Sequence, residues 1–564
     1  MFSALRRWGR GGVCDFYGNP GYDKQPILYQ SDFTSENTVY VVRYDFILGE
    51  DITVPENCVL EFDGGSLSGD GTGKDTITGA NTYLSNNIKL NCNAIGAYSN
   101  PTCLYSWFIN SNNSTNISRL LNIGISSIYI DIDLSIDSPI LIEGKSNLEI
   151  KTKKIIPSND YINNGTYGSF ITLDNCHSIK LSTYIDSLNT TITNNSMFGG
   201  ITIINGSNIC IKDSVIVNGQ NLTSGGYWQA IMFIINSLTD EVGYNTVDTV
   251  YVKEWMCAVF TQAPNTLITN VTCIGATDFP FALNSFRCTN SIIRNCNVNG
   301  NVYQRMVAVE NNAYGVLIEG CKCVDSLGLL HTILTPESEE AEPHNPSHNQ
   351  IIVRNCKVDN SRGVITSSVI FTSSDKYLEI IIENVYVDGN FNGDIFLNIM
   401  GVSNIYVKNC YFNTANSSVA TNVIYNSNVK IEDSDFSGGG QSGIIIRNGA
   451  DVTINDCRFN GHTWCIKCDD GTNPEVTIKN VNPGNAPCLY QGLKYYGDMY
   501  PTNPSYNTLI NNDYIISTKK HSKTTALDGN LIGAKDGDSC FNITSHKLLY
   551  YTGTAWVDAT GTPV

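Results

Sequence analysis

Charge is scarce in this 564-residue chain: 16% of its residues are Asp, Glu, Lys or Arg, and the basic ones, 35 against 53 acidic, are the fewer. The formal net charge of −18 excludes the basic stripe by which a protein neutralises nucleic-acid phosphates. It equally excludes electrostatic docking on an anionic membrane. No window of about 18 uninterrupted apolar residues occurs, so no segment reads as a membrane-spanning helix. The opening residues Met1 to Arg10 (MFSALRRWGR) lack the apolar stretch of a secretory signal, and the expectation is synthesis in a cytoplasm without export by that route.

Signature motifs are missing too. There is no phosphate-binding Gly-Lys-Ser/Thr loop, no nucleophile elbow and no pair of zinc-finger cysteine clusters, so no cofactor and no metal is implied. The 19 cysteines are odd in number and spread over a long chain, unlike the dense sets of disulfide scaffolds. Cys465 and Cys468 form a lone Cys-x-x-Cys that packing explains.

What is abundant is Asn, Ile, Val, Thr, Ser and Gly, a mixture of strand formers and turn residues that predicts an all-β chain. From about residue 207 a phrase recurs: alternating apolar residues, then Asn or Asp, then Cys, Val or Ser. Copies include ICIKDS ending at Ser214, LITNV at Val271, IIRNC at Cys296, VLIEGC at Cys321, IVRNC at Cys356 and IIENV at Val385. Further ones are IYVKNC at Cys410, VKIEDS at Ser434, VTINDC at Cys457 and VTIKNV at Val481. Between positions 271 and 481 the intervals are 25, 25, 35, 29, 25, 24, 23 and 24 residues. A period near 24 with strand alternation leaves a leucine-rich repeat or a β-helix, and the leucine ladder with its helical segment is absent. The reading is a right-handed parallel β-helix, a solenoid whose turns stack about 4.8 Å apart. The Cys, Val and Ser positions then form an inward ladder of small residues, with the flanking Asn, Asp and Gly at the bends.

The ends carry their own patterns. Alternation at Thr38 to Gly49 and Asp51 to Gly69 reads as first turns. Tyr105 to Phe108 (YSWF), a short helix around Ile117 to Leu121, Ile128 to Asp131 and Ser138 to Ile142 follow the layout of an opening cap. In this layout the chain resembles the pectate-lyase-like β-helix proteins of phage tail fibres and tailspikes, although that family's acidic Gly-Asp-Gly loop is missing. The phrase Tyr550 to Asp558 (YYTGTAWVD) resembles the terminal element of tail-fibre proteins from phages of Bacteroides-like gut bacteria, the crAss-like type. The expected division is a cap or attachment segment at 1–37, a β-helix at 38–516, a linker at 517–530 and a small β-rich C-terminal module at 531–564. Tyr490, Tyr495, Tyr496 and Tyr500 are expected to plug the end of a repeat that stops near 485.

The resemblance implies a virion fibre assembled in a host cytoplasm, usually a homotrimer, whose partners are bacterial surface polysaccharide and other virion proteins. Three functions stay open: a glycan-binding spike, a polysaccharide depolymerase acting as hydrolase or lyase, and a purely structural fibre. The 35-residue interval holds His331, Glu337, Glu339, His344 and His348, a set able to supply an acid and a base, or equally a proline-stiffened loop facing water. A second candidate is the outer surface around Glu254, Trp255, Asp278, Arg305 and Glu310 on the preceding turns. Glu310, Glu337, Glu339 and His344 are the catalytic candidates. Trp255, Asp278, Arg305, His331, His348 and Trp556 are the sugar-binding ones. The paired-Asp, Gly-His-Gly and Arg-x-Lys signatures of the polygalacturonase-like glycosidases do not occur.

Overall fold

The computed structural model describes residues 7–8, 26–159 and, from 161 to 562, the strands of each turn with the bends beside them. Many connecting stretches, among them 236–243, 335–347, 499–513 and 517–538, lie outside the described residues. The fold is a right-handed parallel β-helix, and the chain divides into two compact units, residues 1–228 with 235–246 and residues 229–234 with 247–564.

In the first unit, Val39–Val42, Val59–Phe62 and Thr76–Asn86 stack in parallel, as do Asp45–Leu48 and Ser66–Ser68 on a second face. The predicted helix is present at Asn113–Asn122, capped by the Asn112 side chain, which accepts from the N–H groups of Ser114 and Thr115. The turns that follow use long strands, Ser127–Ile136 over Ser146–Pro157, with a register shift after Ile130 taking up the bend.

In the second unit each turn has three short strands, as in Thr266–Thr269, Thr272–Ile274 and Phe281–Asn284. Inward positions repeat from turn to turn: Ile268, Ile293, Ile318, Val353, Ile382, Val407, Ile431, Ile454 and Ile478 are all buried and in register. Phe412, Phe436 and Phe459 stack ring on ring at 5.1 and 5.0 Å, the spacing of adjacent strands. The pairing runs past the expected stop near 485: Glu475–Lys479 pairs with Lys494–Asp498, so Tyr495 and Tyr496 belong to a strand of the stack. A four-stranded antiparallel sheet follows, Tyr514–Ile516, Ser539–Asn542, Lys547–Tyr551 and Trp556–Asp558.

The bends explain the repeated phrase. Asn270, Asn295, Asn355, Asn384, Asn409, Asp433, Asp456 and Asn480 all have φ between 49° and 55°, the left-handed region that Asn and Asp tolerate best after Gly. Gly320 takes the same place at φ 63°. Each bend from Asn270 to Asp456 stays hydrogen-bonded to the next turn, as when the Asn384 N–H donates to the Lys408 carbonyl at 3.1 Å. The residue after the bend is buried and faces a carbonyl that the turn leaves exposed to it. The thiols of Cys296, Cys321, Cys356, Cys410 and Cys457 donate to the carbonyl two residues back at 3.1–3.4 Å, and the Ser434 hydroxyl does so at 2.7 Å. A small residue with a weak donor is therefore favoured there, and Val fits by size alone. All described cysteines are free, and burial pushes the Cys457 thiol up to about 12.

Asn384 also donates to Asn355 at 3.1 Å and accepts from Asn409 at 2.6 Å. Asn384→Ala is expected to lower stability in urea by roughly 1–3 kcal/mol, combining a left-handed alanine with lost hydrogen bonds. Asn384→Gly keeps the backbone conformation, so its loss should be clearly smaller.

Candidate functional site

The site is built on the third strand of each turn in the second unit and on the corners leading into it. Asn284 ends the strand Phe281–Asn284, and the register sets it directly beside Glu310 at the end of Arg305–Glu310. Its amide donates to Glu310 Oε2 at 2.8 Å. Burial raises the Glu310 carboxyl above its ordinary value, the charge of Asp278 adds to this, and the Asn284 bond opposes it. Asp278 is likewise raised by burial, and its own N–H donates to the Met256 carbonyl at 2.9 Å, which pins its loop to the preceding turn.

One turn further, His331 in Gly328–Leu334 pairs with Ala308. Its ring stacks on Phe279 with centroids 5.0 Å apart and planes 17° from parallel. Burial, with the nearby Arg305 guanidinium, lowers the imidazole pKa to about 4, so the ring is neutral at ordinary pH. Asp278 thus acts on Glu310, and Arg305 on His331, because consecutive turns bring residues distant in sequence together. Asn284 and Phe279 complete the cluster and are invisible to motif reading. The signal for Asn284 was register: once the turns are aligned, it falls opposite Glu310.

The other expected residues lie elsewhere. Trp255, expected on the outer surface, is 1% exposed and belongs to the core, because the left-handed corner at Glu254 (φ 62°) turns the next side chain inward. His348 begins the strand His348–Arg354 and pairs with Tyr377 on a different sheet from His331. Trp556 sits opposite Tyr551 in the C-terminal antiparallel sheet. Glu337, Glu339 and His344 lie outside the described residues. Among the described residues no group of three His, Cys, Asp or Glu is arranged to hold a metal ion.

Two carboxyl groups held above their usual range, one oriented by an amide, can divide the roles of proton donor and acceptor. The neighbouring arginine and the stacked Phe279–His331 pair offer a charged donor and an apolar ring surface, the groups that position a sugar.

The class of protein that this fold defines is a parallel β-helix with a polar cluster on its flank. Residues 344–514 match the family model described as "Right handed beta helix region". A search of curated proteins gives no match. Among solved structures, a GH87 alpha-1,3-glucanase catalytic domain in complex with tetrasaccharides is 13% identical, with 73% of this chain and 69% of that one covered at a TM-score of 0.39. The tailspike protein of E. coli bacteriophage HK620, in complex with hexasaccharide, is 11% identical over 65% and 73% at 0.42. The AlgE6 A-module of an Azotobacter vinelandii mannuronan C-5 epimerase is 10% identical over 70% and 93% at 0.36.

Because burial raises Glu310, the folded state keeps a proton over a pH range in which the unfolded chain has released it, and stability falls as pH rises through that range. Glu310→Gln removes this dependence. The variant should be more stable than the parent at pH 7, with the difference vanishing below the ordinary value of 4.5, as denaturation at a series of pH values would show.

Proposed function

We propose that the protein is a bacteriophage fibre or tailspike that binds glycans on the bacterial surface through the flank carrying Asp278, Phe279, Asn284, Arg305, Glu310 and His331. The observation that carries this reading is the grouping of two carboxyls that burial raises, an arginine and a stacked ring pair on consecutive turns. The virion assignment rests on the resemblance of the opening turns and of the Tyr550 to Asp558 phrase to phage tail proteins. In that setting the chain is a homotrimer on the virion, with residues 1–37 for attachment and 531–564 as a terminal module. Other virion proteins are then its assembly partners.

Cleavage is the second reading, favoured by one feature: burial raises both Asp278 and Glu310, which suits an acid and base pair better than simple adhesion.

An array of purified capsular and O-antigen polysaccharides from gut bacteria tests both. The protein should be retained on one or a few polymers, and Asp278→Asn with Glu310→Gln should weaken that retention by at least about tenfold. Release of new reducing ends or unsaturated sugars, lost in the same variant, marks a depolymerase. Unchanged retention in the variant, or a stable 61.8 kDa monomer in light scattering, counts against the proposal.

A further inference from the structure

The stacking of strands is interrupted in the first unit. The ladder of Asp45–Leu48, Ser66–Ser68 and Leu90–Asn91 ends in a single bridge from Leu90 to Phe108, and a new ladder starts at Ile140–Glu143. The helix Asn113–Asn122 comes between them in the chain. Ile140–Glu143 is therefore an edge strand, paired on one side with Gly168–Asp174. On that side the Gly144 N–H donates to the Asp174 carbonyl at 2.9 Å, and the trans peptide aims the Glu143 carbonyl the opposite way. By the two-residue repeat of a strand, the N–H and C=O groups of Leu141 and Glu143 line the free edge. Among the described residues no backbone hydrogen bond joins that edge to the helix.

A groove of about 410 Å³ lies between this strand and the helix. Its apolar lining comes from both walls, Ile117 and Leu121 on the helix and Pro139 and Leu141 on the strand side. Leu141 points outward between the buried Ile140 and Ile142 and is 53% exposed, whereas Thr172 and Thr202, which follow it in register, are buried. The rim is acidic. Asp137 and Glu143 line it, while the Lys145 ammonium is engaged with Asn122 Oδ1 at 3.0 Å. Burial raises the Asp174 carboxyl, and the charge of Glu143 beside it in register adds to this.

We infer that this groove docks an extended segment of a partner protein, which adds a strand to the free edge of Ile140–Glu143 and carries basic residues alternating with apolar ones. An unpaired strand edge is a template for another backbone, and strand addition is a recurrent way for one chain to recognise another. The partner's N–H and C=O groups pair with those of Leu141 and Glu143, its apolar side chains pack on Ile117, Leu121 and Pro139, and its basic ones lie beside Asp137 and Glu143. Charge decides against a second copy of this chain, whose net −18 would be brought against an acidic rim. None of these residues belongs to the Asp278–Glu310 flank, so the inference does not rest on the glycan-binding reading.

The test uses the full chain and two synthetic probes, acetyl-Lys-Ile-Lys-Ile-Lys-amide and its glutamate counterpart acetyl-Glu-Ile-Glu-Ile-Glu-amide, titrated while NMR follows saturation transfer to their isoleucine methyl groups. The basic probe should bind at least about tenfold more tightly, and methylating its backbone nitrogens should weaken it at least about tenfold. Leu141→Pro removes the edge-facing N–H, a change that edge strands tolerate, so it should keep the thermal midpoint and lose the basic probe. Leu141→Ala, which keeps that N–H, should retain more of the affinity. Glu143→Lys should reverse the preference between the probes. Undiminished binding of the methylated probe, or of the basic probe by a folded Leu141→Pro, overturns strand addition. If Leu141→Pro does not fold, an unreversed preference in Glu143→Lys overturns it. Binding of neither probe does so too, and a stable oligomer of the parent that Glu143→Lys dissolves gives the edge to a second copy instead.

Discussion

Everything in the second unit depends on a backbone that can turn sharply without releasing its hydrogen bonds to the next turn. A parallel coil has no hairpins to reverse it, so the bends must come from single residues at positive φ. Asn and Asp supply them at Asn270, Asn295, Asn355, Asn384 and onward, and Asn355, Asn384 and Asn409 also bond to one another along the stack. A left-handed residue would cost roughly 1–2 kcal/mol if its side chain were ordinary, and it recurs at every turn. The composition of the whole chain, rich in Asn and poor in long charged side chains, follows from that repetition.

The bends also decide what the core is made of. The residue after each bend meets a backbone carbonyl, and the thiols of Cys296, Cys321, Cys356, Cys410 and Cys457 answer it. Their conspicuous spacing therefore reflects backbone satisfaction inside the core, not redox or metal chemistry. The same fixed pitch assembles the flank cluster: Asn284 meets Glu310, and Phe279 meets His331, because turns of different length in sequence advance by one equal step in space.

How legible all this was in the sequence varied with how tightly each feature is tied to a bend. The regular turns from Val271 to Val481 announce themselves, since left-handed residues are chemically distinctive. The first unit is less legible: it too has left-handed Asn and Asp, such as Asn147, Asn175 and Asp213, but where Ser127–Ile136 runs over Ser146–Pro157 a register shift takes up the bend. Asp278, Arg305, Glu310 and His331 were readable as chemistry near breaks in the period. Asn284 and Phe279 were not, since an amide and a phenylalanine become informative only with register. Trp255 was misplaced for a related reason. Counting alternate residues assigns it outward, and the conformation of Glu254 reverses that parity.

The interval that lengthens the turn between Val316–Glu319 and His348–Arg354 leaves the pairing of those two strands intact, with Leu317 opposite Ile352 and Ile318 opposite Val353. Registration and decoration are thus carried by separate parts of the chain. In mechanical terms the bends act as fixed joints, and the connections between them as attachments hung from a constant frame. A long connection can therefore leave the turn without altering the register of the two strands that it joins.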